Sequence, residues 1–176
     1  MRSLSKGSFI NMVNIRPKSI MEGFNNYSNA IITYKNISEA EYIESNFIKF
    51  LNEAYEENDR FIVDYYGNVL TNEEFSRMLK EVTEEEKRIL NNIKNNFNSE
   101  DIYFQIEDKS ILNIFIKLSL KGILFSTFYF IDDEITIWSN YDYKFVMFFN
   151  KDETLEKYKL LAEKYKLIIK NVKKVE

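Results

Sequence analysis

Apolar residues recur along this chain in two rhythms. Between positions 43 and 54, Ile43, Phe47, Phe50, Leu51 and Ala54 return at three- and four-residue intervals, lining one face of a helix. Ser38 followed by Glu41 gives that helix a capping box, in which each side chain satisfies the other's backbone N–H. The same spacing at Thr71/Glu74 and Thr83/Glu86 predicts helices over Asn72–Glu81 and Glu84–Asn96, the second burying Ile89, Leu90, Ile93 and Phe97. Asn150/Glu153 predicts a last helix with Leu155, Tyr158, Leu161 and Ala162 facing inward.

Shorter apolar runs bounded by turn residues read as strands: Ala30–Tyr34, the FIVD run before a turn at Gly67–Asn68, IYFQIED, Leu124–Ile131, Glu134–Ser139, Lys144–Phe149 and Ile168–Val172. SILNIFIKLSLKG fits both periods. Asn113, Lys117 and Lys121 share a helical stripe, yet Ile114, Ile116, Leu118 and Leu120 alternate. Gly122, standing where a helix C-cap belongs just ahead of a strand, decides for helix.

This order predicts an α+β fold, an antiparallel sheet with helices packed on one face. A ferredoxin-like arrangement is compatible with residues 101–176. Residues 19–100 form a more helical half with one strand and acidic helices, and residues 1–18 read as a loose arm. No Gly/Ser- or Pro-rich linker interrupts the chain, so 1–176 is read as one domain.

Alternation also sorts the aromatic side chains. Tyr141, Tyr143, Phe145, Met147 and Phe149 share one face of their strand, and Asp142, Lys144, Val146 and Phe148 the other. Burial of Ile137 would put Trp138, the sole tryptophan, on the opposite face, beside the turn Ser139–Asn140–Tyr141. Trp and Tyr next to an exposed turn are frequent interface anchors, which makes Trp138 and Tyr141 candidate partner-binding residues.

Charge adds a second candidate surface. The net charge of −4 hides a segregation: fourteen acids face four bases between Ser38 and Glu86, while the last 26 residues hold eight lysines and five acids. An acidic layer of this kind can steer association with a basic surface. Glu53, Glu56 and Glu57, at one helix end, and Asp132 and Asp133, in a hairpin turn, are its candidate docking acids.

Candidate chemistry is limited by what is missing. With no His and no Cys, catalytic triads, zinc sites and imidazole acid–base chemistry are excluded. The four glycines, at 7, 23, 67 and 122, are isolated, so no phosphate-cradling loop can be written, and no cofactor is expected. Carboxylates remain. Asp132–Asp133–Glu134 has the composition of a magnesium site, and Glu107–Asp108–Lys109 has the E-x-K spacing of metal-dependent nucleases, with Asp64 or Asp101 as the further acid. Both patterns are also ordinary at turns and strand ends, and no metal site is expected.

The expected function is therefore a non-catalytic macromolecule-binding protein, an inhibitor or immunity-type protein of bacterial or phage defence, docking through acidic helices and edge aromatics. Its expected partner is another protein, one with a basic or nucleic-acid-binding surface. The acidic sequence pI of about 5.2 disfavours direct nucleic-acid binding, and a homodimer is compatible with the same features. The alternatives are a metal-dependent carboxylate enzyme such as a nuclease, and a structural or oligomer-forming protein. No apolar run is long and uncharged enough for a membrane span, and the lack of cysteine and of a secretory signal fits a cytoplasmic protein.

Overall fold

In the computed structural model, which describes residues 1–35 and 39–175, the chain runs β1 (Arg2–Leu4), α1 (Lys6–Met12), α2 (Ile20–Asn26), β2 (Ser28–Tyr34), α3 (Ala40–Glu56), β3 (Phe61–Asp64), α4 (Asn72–Leu79), α5 (Glu84–Asn96), β4 (Tyr103–Gln105), α6 (Lys109–Leu120), β5 (Thr127–Phe130), β6 (Ile135–Trp138), β7 (Phe145–Phe149), α7 (Asp152–Lys164) and β8 (Leu167–Lys173). The strands form one antiparallel sheet in the order β1-β4-β3-β5-β6-β7-β2-β8, an α+β fold as expected.

One face of the sheet carries most of the core. Phe61, Val63, Phe104, Phe128, Phe130, Ile137, Phe145 and Met147 meet apolar residues of α3 to α7 there. Each fully buried Phe contributes about 2–3 kcal/mol through removal from water. The stripe Ile43, Phe47, Phe50, Leu51 and Ala54 of α3 is buried throughout. Capping boxes form at Thr71/Glu74 and Thr83/Glu86. Ser38 lies outside the described residues. Asn150 is not a cap: Lys151 holds that position in α7 and makes no side-chain capping bond.

Helix wins over strand for α6. Leu112, Ile114, Phe115, Ile116, Leu118 and Leu120 are all buried, while Lys121 is exposed. Gly122, at φ +66°, ends the helix in a Schellman motif, with Ile123 N–H donating to Leu118 C=O at 2.9 Å and Gly122 N–H to Ser119 C=O at 3.1 Å.

Two expectations are corrected by the second face of the sheet. Helices pack on both faces, and residues 1–18 are no loose arm. Leu4, Phe9 and Val13 cover Ile62, Tyr129 and Ile131, while Ile15, with Ile20 and Phe24 of α2, covers Val146 and Phe148. Strands β3, β5 and β7 are consequently buried on both sides. The ferredoxin-like arrangement is also absent: β3 separates β4 from β5, and β2 separates β7 from β8. The edge strand β8 carries Lys170 and Lys173 and a bulge at Asn171 (φ 55°), features that discourage further strand pairing.

Candidate functional site

The sheet distributes the seven candidate residues between its two ends. Asp132 and Asp133 form the β5–β6 turn, near the C-terminal end of α3 with Glu53, Glu56 and Glu57. Trp138 and Tyr141 stand at the opposite end of β6, beyond roughly 10 Å of strand.

At the acidic end every candidate carboxylate has an intramolecular cation. Lys164 contacts Glu53 at 2.5 Å, Lys109 pairs with Glu56, and Arg60 meets Asp132 at 2.6 Å. Lys157 bridges Glu57 (3.2 Å) and Asp133 (2.8 Å), and Asp133 also accepts from Asn58 and Tyr158. Hydrogen bonds from Lys164 and Tyr165 hold Glu53 below the ordinary carboxylate range. Burial raises Asp133, but Lys157, Asn58 and Tyr158 together outweigh it and the net shift is downward. Lys157 and Lys164 come from α7, so Glu57 and Glu53 of the acidic segment meet lysines of the basic C-terminal segment in the fold.

The possible metal centres are dispersed in the same way. Asp132, Asp133 and Glu134 turn to three different cations, Arg60, Lys157 and Lys151. Among the described residues no group of three carboxylates converges. In the E-x-K stretch, Glu107 pairs with the chain's N-terminal ammonium, Asp108 caps α6 through the Ser110 N–H, and Lys109 is held by Glu56. Asp64 lies opposite Tyr103 at the start of β4, whereas Glu107 follows the far end of that strand. Asp101 accepts from Ser3 and from the Asn98 N–H.

The other end is aromatic. Lys144 N–H closes a turn onto Tyr141 C=O at 3.2 Å, and both central residues, Asp142 (φ 57°) and Tyr143 (φ 53°), are left-handed. Such turns normally place Asn or Gly at these positions, and a tyrosine there is strained. The turn presents Tyr141, 66% exposed, edge-on to Phe125 at 4.6 Å. It also folds Tyr143 inward, where the ring packs against Tyr34 and Phe47 and the hydroxyl donates to Glu44 at 3.2 Å. Trp138 is half-buried on the second face, packed with Val146 and Phe148. Beside the turn an open groove of about 560 Å³ runs between α3, the α4–α5 turn and α6. Glu41, Glu44, Glu81 and Glu86 line it with Lys49, Lys80, Lys117 and Lys121, so its charges balance.

Asp64 completes this end. Its side chain is 5% exposed, and it is the sole charged residue among the buried polar groups of the described chain. On the second face it lies between Tyr103 of β4 and Thr127 of β5, and its Oδ1 accepts the Thr127 N–H. Burial pushes the carboxyl up to about 7, against smaller downward effects of hydrogen bonding by Thr127 and Tyr129. Tyr66, Tyr103 and Tyr129 all lie close enough to feel its charge, and each phenol is raised, chiefly by burial. No lysine or arginine among the described residues offsets Asp64.

No protein-family profile, curated protein or solved structure matches this chain. No helix among the described residues is long and apolar enough to cross a membrane. The sequence reading missed Tyr66 and Tyr103 and saw Asp64 only as a nuclease acid. The available signal was FIVDYY, a strand with no polar position until an aspartate at its end, followed by two tyrosines.

Proposed function

We propose that this is a non-catalytic binding protein whose contact surface for another protein is the aromatic end of the sheet, not the acidic end of α3. The observation that carries this reading is the strained Tyr141–Lys144 turn, which holds Tyr141 in solvent. Backbone strain tends to concentrate at functional positions, and Asp142 and Tyr143 are left-handed in succession, whereas Glu134, Lys166 and Asn171 are so singly. Tyrosine and tryptophan are the usual anchors of protein interfaces. Phe125 meets Tyr141 edge-on, and the half-buried Trp138 and the 40% exposed Tyr66 stand at the same end of the sheet. By contrast, Glu53, Glu56, Glu57, Asp132 and Asp133 spend their charge on internal lysines and an arginine, which weakens them as steering groups. An inhibitor or immunity protein would work in this way, presenting a rigid aromatic patch from a two-sided core.

The test is association kinetics with the partner recovered from the native host. Tyr141→Ala should raise the off-rate at least tenfold with little salt dependence. Joint reversal of Glu53, Glu56 and Glu57 to lysine should leave the on-rate within about twofold. A tenfold loss of on-rate in the charge-reversed protein, with Tyr141→Ala silent, would return the contact surface to the acidic end.

A further inference from the structure

Helix α7 buries Leu155, Tyr158, Leu161 and Ala162 and turns Glu156, Leu160, Glu163 and Lys164 outward, with Lys157 half-buried beside them. These last five recur three and four residues apart, so they share one helix face with Leu160 at its centre. Leu160 is 70% exposed, more than any other large apolar side chain among the described residues. With Leu161 it lines an open groove of about 400 Å³ between α3 and α7. The pairs Glu57–Lys157 (3.2 Å) and Glu53–Lys164 (2.5 Å) join the two helices there. The surface thus offers a projecting leucine, a recess beside it, and two acids and two bases around the recess.

We propose that this face of α7 is a contact with a second copy of the chain, the two α7 helices running antiparallel about a two-fold axis at Leu160. A two-fold contact uses the same patch on both copies, so the patch has to complement itself. With the axis at Leu160, a residue a given number of places before it meets the one as many places after it on the second copy. Glu156 then faces Lys164 of the second copy, and Lys157 faces Glu163. A parallel pairing would set Glu156 against Glu156 and Lys164 against Lys164, and opposed like charges reject that alignment. The charge order acid, base, leucine, acid, base therefore selects the antiparallel one. Each Leu160 enters the groove beside its counterpart.

Glu163 is exposed with no ion pair of its own among the described residues, and the second copy's Lys157 supplies one. Glu156, held by Lys159 at 2.7 Å, and the two lysines keep their internal partners and share them across the axis. The contact spans one helix face, smaller than a standard interface, so its dissociation constant is on the order of 100 µM. It stands apart from the aromatic end: Lys157 meets Asp133, at the far end of β6 from Tyr141. A dimer built this way leaves both aromatic ends free, and the inference does not depend on what they bind.

Sedimentation equilibrium of the intact protein from about 10 µM to about 1 mM tests the contact, with circular dichroism confirming the fold of each variant; all three changed positions are exposed, where substitutions disturb stability little. The parent should show a reversible monomer–dimer equilibrium, and Leu160→Ser should weaken it at least tenfold. Glu156→Lys and Lys164→Glu each oppose like charges across the axis and should each weaken it about tenfold. An equimolar mixture of those two variants restores opposite charges at both positions and should dimerise within about threefold of the parent. A parent still monomeric at about 1 mM, an unchanged dimer in Leu160→Ser, or a mixture no tighter than either variant alone would each overturn the contact. A dimer lost in Tyr141→Ala and kept in Leu160→Ser would overturn it too, placing the self-contact at the aromatic end.

Discussion

Replacing Asp64 by asparagine isolates the energetic cost of leaving a carboxyl buried without a cation. In the unfolded chain this group titrates near 3.8, and in the fold burial carries it to about 7. Below about pH 3.8 it is protonated in both states and contributes nothing to the difference. Between 3.8 and 7 the unfolded chain releases the proton while the folded protein retains it, so stability falls by up to about 1.4 kcal/mol per pH unit. Above pH 7 the penalty is constant at about 4 kcal/mol. Asparagine keeps an oxygen for the Thr127 N–H and carries no charge, so Asp64→Asn should be more stable than the parent by a few kcal/mol at pH 8. The two proteins should converge near pH 4. Paired carboxylates with lowered values, such as Asp133 and Glu53, work in the opposite sense, giving stability that is lost as pH falls through their folded values. They are common to both proteins and cancel in the comparison. Urea unfolding at pH 4, 6 and 8 supplies the free energies. Equal pH slopes in the two proteins, or a less stable variant at pH 8, would refute the reasoning.

Four further outcomes are expected. Phe145 is fully buried and its neighbour Lys144 exposed, so Phe145→Ala should cost about 3–5 kcal/mol and Lys144→Ala under about 0.5 kcal/mol in the same unfolding assay. Asp142→Gly should stabilise by about 1 kcal/mol, because glycine accepts the left-handed backbone that aspartate holds there. Gly122→Ala should cost about 1 kcal/mol for the converse reason, read as a lowered thermal midpoint. Lys157→Ala removes the cation shared by Glu57 and Asp133; it should cost about 1 kcal/mol at neutral pH, solvent screening being substantial there, with the difference shrinking as pH falls below 4.

Local pattern carried most of the architecture. The apolar stripe of α3, the two capping boxes and Gly122 after α6 are decisions made within a few residues, and each is realised. The second layer was less legible because its parts are short: α1 and α2 span seven residues each, too few for a sustained helical stripe. FIVD, TFYF and FVMFF nonetheless carried the signature of burial on both faces, having almost no polar alternation. Strand order was out of reach, since β3 and β2 enter the C-terminal half through pairings that no local pattern specifies. Charge misled for a related reason. Glu53 and Lys164 are 111 residues apart, so the sequence displays as segregated two charges that the fold brings together.

A photo-reactive phenylalanine analogue placed at position 141, and separately at position 56, probes the surface directly in cells of the native host. Both positions are exposed, so the substitution leaves the core untouched. On irradiation, position 141 should give a discrete cross-linked protein that is lost when Trp138→Ala is added, while position 56 gives none. A discrete adduct from position 56 with none from position 141 would contradict the assignment of the aromatic end as the contact surface.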